Sequence, residues 1–353
     1  MDYKKELAEL VMMVVKEDAS DLHITVGRHP TFRVSGSLVP LIKKPILTPQ
    51  DTEGLIFAML DENKIKELSE KREMDFSYMF ENKIRFRVNA FFQRGFLSAS
   101  LRLIPVKIKN FKDLNLPDIL RDFADKEQGF FFVVGPIGHG KSTTLASMID
   151  YINHNRSEHI VTVEDPVEYL FIQDKSIVDQ REIKSDTNDF KTALRSMFRQ
   201  DINVAMIGEM RDVETISTAV TAAETGHLIF SSLHTNNAAQ SIDRIIDSFP
   251  HDQQNQIRVQ LANALLGIFS QRLIPRISGG LVPAYEILIN NAAVRNLIRE
   301  NRTHEIDLVI ETGLELGMVS LNRSLANLVR DGEITVENAF SYSLNSKGLE
   351  GLL

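Results

Sequence analysis

The hydrophobic residues of this chain change rhythm twice, and those changes divide it. Over residues 3–17 they recur at helical spacing (Leu7, Leu10, Val11, Val14, Val15), which predicts a first helix. From Leu22 to Leu41 the rhythm shortens to alternating runs broken by Gly27, Pro30, Gly36 and Pro40, the texture of strands and turns. Thr48-Pro49-Gln50-Asp51 carries helix-start signals, with a helix predicted to about Leu60, and Glu62–Leu68 predicts a third. Ile84–Phe92 and Phe96–Ile104 read as two strands joined by a turn at Arg94-Gly95. Residues 1–104 therefore predict a small α+β domain, and the basic, proline-started stretch 105–112 reads as a linker.

Beyond the linker, apolar runs and helical patterns alternate. Strands are predicted at Phe130–Val134, His159–Glu164, Asn203–Ile207 and Leu228–Leu233, separated by helices near 142–154, 189–199 and 213–224. Such alternation predicts an α/β fold on a wound parallel sheet, here in a domain spanning 113–353. The last hundred residues are expected to be mainly helical, with one strand at Leu281–Ile289. No internal repeat or low-complexity segment interrupts the pattern.

Composition narrows the function. The 353 residues suffice for two cores, and 43% hydrophobic with 25% charged residues suits a globular protein. A net charge of −8 argues against a general affinity for nucleic acid. With no cysteine there is no disulfide and no thiolate metal site. The apolar run Leu10–Val15 is too short to span a bilayer, and the opening residues lack the layout of a secretory signal. A cytoplasmic location without membrane insertion is expected.

The chemistry concentrates at Gly135-Pro136-Ile137-Gly138-His139-Gly140-Lys141-Ser142, which fits the G-x-x-x-x-G-K-[ST] phosphate-binding pattern, with Thr143 following. An apolar strand before it and a helix after it are the context this pattern needs. The loop's amides and the helix N-terminus would cradle the phosphates of ATP. Lys141 would reach the outer phosphates and the Ser142 hydroxyl would ligate Mg²⁺. Acidic partners are expected at strand ends. Glu209 follows Val204-Ala-Met-Ile-Gly and is the candidate base or water-positioner, with Gly208 standing where many such enzymes have Asp. Glu164 and Asp165 precede Pro166, which fixes the turn; Ser142, Glu164 and Glu209 form the expected Mg²⁺ set, partly through water.

His227 and His234 flank the strand Leu228–Leu233. Their spacing of seven puts them on opposite faces and disfavours a metal pair, so sensing of the γ-phosphate or linking of subunits is the expectation. Guanidinium groups that meet developing phosphoryl charge are sought among Arg85, Arg87 and Arg102 on the first domain's strands, and among Arg195, Arg199 and Arg211 near the acids. Arg87 and Arg102 are carried forward as catalytic candidates.

Together these segments resemble the secretion-superfamily ATPases, and among them the type IV pilus retraction ATPases. Ser20-Asp-Leu-His-Ile-Thr-Val-Gly-Arg-His-Pro and Arg85-Phe-Arg-Val-Asn-Ala-Phe are similar to the family's N-domain. Ile160–Glu168 resembles its Asp box, Arg199 to Asp212 its atypical Walker B segment, and Thr221–His227 through His234-Thr-Asn its His box. Ala293-Val-Arg-Asn-Leu-Ile-Arg-Glu differs at one residue from the element associated with retraction. The resemblance implies a PAS-like N-domain, a RecA-like P-loop C-domain, a homo-hexamer with ATP sites closed between subunits, and docking on an inner-membrane platform protein. It implies a peripheral place at the inner face of the cell membrane, and a second retraction ATPase as a possible partner. The family's assembly motors usually carry an extra N-terminal domain and a four-cysteine metal site; with no cysteine and no such domain expected here, retraction rather than extension is the expectation.

Two positions depart from the family pattern: His139 stands where Ser or Thr is usual, and Ile202 where Pro is usual. The His139 side chain is expected to point away from the phosphates, so that His139→Ser changes ATP affinity by less than about tenfold, roughly 1.4 kcal/mol. Two other readings stay open. One is an accessory ATP-binding paralogue with little turnover of its own; the other is a RecA-like nucleic-acid motor, which the acidic charge disfavours. The stripe Ala293, Val294, Leu297 and Ile298 is expected to pack inward, leaving Arg295 and Arg299 together on another face.

Overall fold

The computed structural model describes every residue except Met1, Ser35, Asn82, Val106 and Arg211. Val106 belongs to the expected linker and Arg211 to the arginine candidates, so both lie outside the described residues. The chain forms two compact units, Met1–Val106 with Glu168–Leu170, and Lys107–Val167 with Phe171–Leu353.

The first unit opens on α1 (Tyr3–Lys16), capped by the Asp2 side chain on the Lys5 amide. Its buried stripe is Leu7, Leu10, Val11 and Val14, whereas Val15, expected on that stripe, is 45% exposed. Strands β1 (Asp21–Ile24), β2 (Thr31–Val34) and β3 (Ser37–Pro40) occupy the alternating region. Then come α2 (Pro49–Phe57), α3 (Glu62–Lys71), β4 (Glu73–Phe80), β5 (Ile84–Gln93) and β6 (Phe96–Ile104). Thr48 and Asp51 form a reciprocal capping box that starts α2, which stops at Phe57 rather than near Leu60. The six strands make an antiparallel sheet in the order β3-β2-β1-β6-β5-β4. Leu22, Ile24, Phe86, Val88 and Leu101 project from it onto the buried faces of α1 and α2.

In the second unit, Phe111 of the expected linker is buried beside Leu120 and Phe123 of α4 (Ile119–Ala124). The central strands are β7 (Gly129–Val134), β8 (His159–Glu164), β9 (Ile177–Glu182), β10 (Val204–Ile207) and β11 (Leu228–Leu233). Between them lie α5 (Lys141–Asn155), α6 (Phe190–Met197) and α7 (Val213–Glu224). After β11 come α8 (Ala238–Asp247), α9 (His251–Ala264), β12 (Leu265–Pro275) and β13 (Leu281–Ile289). The sheet order is β13-β12-β7-β11-β10-β8-β9, parallel except where β13 pairs antiparallel with β12. The tail is mainly helical as expected, but the expectation of one strand is corrected: β12 is an eleven-residue strand that starts where α9 stops.

Buried on both faces, β7 sends Phe130, Phe132 and Val134 toward α6–α9 and Phe131 and Val133 toward α4 and α5. Burying each such Phe contributes about 1.5–3 kcal/mol. The remaining helices are α10 (Ala292–Arg299), α11 (Ile306–Thr312), α12 (Leu321–Arg330), α13 (Val336–Tyr342) and α14 (Ser346–Glu350). Helices α12–α14 pack a small separate core against Ile274, Val282 and Ala284 of the β12–β13 hairpin. On α10, Val294, Leu297 and Ile298 are buried, but Ala293 is exposed, so the inward stripe is narrower than its spacing predicts. Among the described residues no helix is long and apolar enough to cross a membrane.

Candidate active site

The phosphate-binding pattern occupies the turn between β7 and α5. Gly135 has a φ of +145°, and a Cβ there would lie 2.3 Å from the carbonyl oxygen of Gln271 on β12. No other residue fits that approach. Lys141, only 6% exposed, donates its ammonium to the carbonyl oxygens of Gly135 at 2.9 Å and Pro136 at 2.8 Å. Its Nζ also lies 3.1 Å from Nδ1 of His234. A lysine ammonium only donates, so Nδ1 accepts and the ring proton resides on Nε2. That Nε2 stands 3.7 Å from Oε1 of Glu209. Lys141, His234 and Glu209 therefore form a line in which the imidazole sits between a cation and a carboxylate. Ser142, at the exposed first turn of α5, lies one residue from Lys141, and Thr143 follows it.

The acids reach this edge from neighbouring strands. Strands β8 and β10 pair in parallel with Val163 opposite Ile207, which sets Glu164 beside Gly208. The Gly208 amide donates to the Val163 carbonyl at 2.8 Å. A Cβ at Gly208 would lie 3.3 Å from that carbonyl oxygen and 3.5 Å from the Glu164 Cα. Only the carbonyl contact would be tight, so a side chain at 208 would crowd the Val163 backbone, while Glu164 lies at ordinary van der Waals distance. Glu164 is buried, and its Oε1 accepts the Thr162 hydroxyl at 2.6 Å and the Gln180 amide at 3.4 Å. Asp165 is exposed in the turn that follows.

Two further features border the site. A cavity of about 340 Å³ opens beside Glu209 and His234, with Ile216, Leu233 and Ile245 as its apolar wall and the exposed Arg244 at its margin. Glu286 of β13 is buried and accepts the first amide of α8, from Ala238, at 2.8 Å. Burial pushes its carboxyl up to about 7, against the Ala238 amide and Arg272, which favour the charged form. Neither residue was a candidate from the sequence, where Glu286 is only one acid in the predicted strand Leu281–Ile289.

Not every predicted site residue joins this edge. His227 lies at the opposite, amino-terminal end of β11, where its ring meets Phe198 edge-on at 5.2 Å and Nδ1 faces the Ala222 carbonyl at 3.2 Å. Within one chain it is no partner of the phosphate loop, because seven residues of extended backbone separate it from His234. Arg87 and Arg102 face each other across β5 and β6 in the first unit. Asp21, itself buried, receives the Arg102 Nε at 2.9 Å. Arg195 pairs with Glu214, as does Lys191, and Arg199 is exposed. His139 turns its ring toward β12, where Nδ1 accepts the Leu273 amide at 2.9 Å.

The donor set suits a nucleotide and a hard cation. Oxygen donors at Ser142, Glu164 and Glu209 match Mg²⁺, which commonly keeps few protein ligands and takes the rest from phosphate and water. Among the described residues no cluster of three or more His, Asp or Glu could hold a metal unaided.

The chain as a whole is similar to known proteins. The model of the type II/IV secretion system protein family matches residues 3–327. Over 334 residues the chain is 43% identical to the type IV pilus retraction ATPase PilT of Pseudomonas aeruginosa, covering 95% of this chain and 97% of that protein. It is 38% identical over 345 residues to the type IV pilus ATPase PilU of the same species, covering 98% and 90%. A solved structure of the pilus retraction motor PilT with bound ADP superposes with a TM-score of 0.91 at 46% identity, covering 97% of this chain and 98% of that one. The mixed α/β fold with its parallel sheet is shared with that structure.

Proposed function

This chain belongs to the type II/IV secretion system protein family, and from that premise we propose that it is a Mg²⁺-dependent ATPase motor that retracts a type IV pilus. One observation carries the reading: Lys141 after β7, Glu164 ending β8, Glu209 after β10 and His234 after β11 converge on one edge of one sheet. When bound, Mg²⁺ would neutralise phosphate charge and so make the terminal phosphorus open to attack. The amides of residues 135–143 and the N-terminus of α5 hold the phosphates. Lys141 exchanges its loop carbonyls for phosphate oxygens. Ser142 and Glu164 hold the cation, directly or through water. Glu209 takes the proton of the attacking water, and His234 orients Glu209 while its other nitrogen faces Lys141.

The same reading assigns the rest of the machine. Sites close between subunits of a homo-hexamer, with Arg87 and Arg102 of a neighbouring subunit meeting the developing charge; Asp21 holds Arg102 ready for that role. The PAS-like domain (1–104) and RecA-like domain (113–353) rotate about the start of the expected linker 105–112, since its Phe111 is packed into the second unit. The ring docks on an inner-membrane platform protein from the cytoplasmic face, and a second retraction ATPase can join it.

Phosphate release by the purified chain tests the enzymatic core. Mg²⁺-dependent turnover that Glu209→Ala abolishes while nucleotide still binds is the expected result; turnover at wild-type rate in that variant would remove Glu209 from its role. In cells, deletion should leave excess surface pili and no twitching, whereas bald cells would point to assembly. The accessory reading draws on the unusual His139, but that ring is bonded to β12 and stays off the phosphate side of the loop. Measurable turnover of the isolated chain excludes it.

A further inference from the structure

The phosphate loop is held from outside by β12. Gln271, 3% exposed, donates Nε2 to the His139 carbonyl at 2.9 Å and accepts the Thr144 hydroxyl on Oε1 at 2.6 Å. Two residues on, the Leu273 amide donates to Nδ1 of His139 at 2.9 Å. Three hydrogen bonds thus tie the tip of the loop and the first turn of α5 to one strand. Two of them come from side chains and groups that serve at any ordinary pH. The third needs Nδ1 as an acceptor, which exists only while the imidazole is neutral with its proton on Nε2.

We propose that His139 is a positioning residue whose neutral ring locks the phosphate loop onto β12, and whose protonation releases that lock and loosens the grip on nucleotide. The inference rests on the nucleotide-binding reading given above. The groups facing the ring are Lys141 of α5, Arg272 of β12 and the Tyr342 ring of α13, whose centroid lies 6.4 Å away. None of them is an acid that would welcome an imidazolium. Burial, then Arg272, then Lys141 hold the imidazole below the usual histidine range, so the lock is closed at neutral pH and opens on acidification. A serine or threonine hydroxyl would accept at every pH, so histidine makes the anchor conditional.

Titration of the full chain with mant-ADP in Mg²⁺ buffer tests this between about pH 8 and about pH 4.5, a span that reaches below the usual histidine range, where burial and the two cations hold this ring. His139→Asn keeps a fixed acceptor near the Nδ1 position, and His139→Ala removes it. Over that span the wild-type Kd should rise about fivefold more than the Kd of His139→Asn. His139→Ala should bind about three- to tenfold more weakly than wild type at pH 8, with no added acid sensitivity. Protonation of the nucleotide's own phosphates affects all three proteins alike and cancels in the ratios. Parallel pH curves for wild type and His139→Asn, or full affinity in His139→Ala at pH 8, would overturn the lock while leaving nucleotide binding intact. A wild-type chain that binds no mant-ADP would overturn the parent reading, and this inference with it.

Discussion

His227 and His234 stand at the two ends of one strand, in opposite circumstances. His234, at the carboxyl end of β11, lies between Lys141 and Glu209, whereas His227, at the amino end, rests against Phe198 and the Ala222 carbonyl. Seven residues at about 3.3 Å each put roughly 23 Å between them. In a parallel sheet every strand delivers its carboxyl end to the same edge, and connecting loops gather ligands there. Strand direction, more than residue type, decides which histidine stands beside Lys141 and Glu209. The amino-terminal edge carries caps and packing contacts.

Substitutions can break or sharpen this contrast. Glu209→Ala should have the largest effect, lowering turnover about 10²–10⁴-fold with nucleotide binding retained, as expected for a lost general base. Phosphate release measured beside mant-ADP binding separates the two quantities. Next, Lys141→Ala should weaken nucleotide binding about 10–100-fold, matching the loss of a charge-assisted hydrogen bond worth about 1.5–3 kcal/mol. Equal binding by that variant would mean the edge does not grip phosphate.

Glu286→Gln probes the same edge through stability. Its folded pKa, near 7, lies above the ordinary 4.5, so the folded state favours the neutral acid. No penalty exists below about pH 4.5; it builds as pH rises toward 7 and is constant above. The glutamine variant should therefore gain stability on wild type between pH 5 and pH 8, on the order of 2 kcal/mol, read from urea midpoints at each pH. A constant gap across pH would show that Glu286 is not held neutral.

The histidine pair itself gives the smallest effects and the most direct comparison. His234→Ala should cut turnover roughly tenfold, the effect expected of the proposed role of orienting Glu209 without reaching the water. His227→Ala should change turnover of the isolated chain less than about twofold, unless its edge meets a neighbouring subunit. Equal losses from both would erase the distinction between edges.

Much of this was legible before any coordinates. Buried parallel strands are unbroken apolar runs, so β7, β8, β10 and β11 stood out, and the acids directly after them marked the working edge. Other elements were hidden for physical reasons. Met74, Phe76, Tyr78 and Phe80 of β4 do alternate, but the strand follows α3 so closely that its first residues extend the charged helix pattern. Ile177–Glu182 lies at the sheet edge, where half-exposed polar residues carry no strand signature. The polar Ser270, Gln271 and Arg272 broke the apolar run of β12, although they are polar because they face the loop and its flanks. Gln271 is separated from Thr144 by 127 residues, so no local pattern could join them.

Ala264 closes α9 and Leu265 opens β12, with no residue between. The slack in such a join is confined to the register shift between Leu265 and Gly267, where β12 begins to pair with β7. Successive side chains of a strand point to opposite sides, so a one-residue insertion that slid β12 along its neighbours would swing Gln271 and Leu273 away from the P-loop together. The length of a helix on the far side of the sheet thereby bears on how β12 meets the turn between β7 and α5, and natural variation in that helix should come in whole turns or be taken up at that shift.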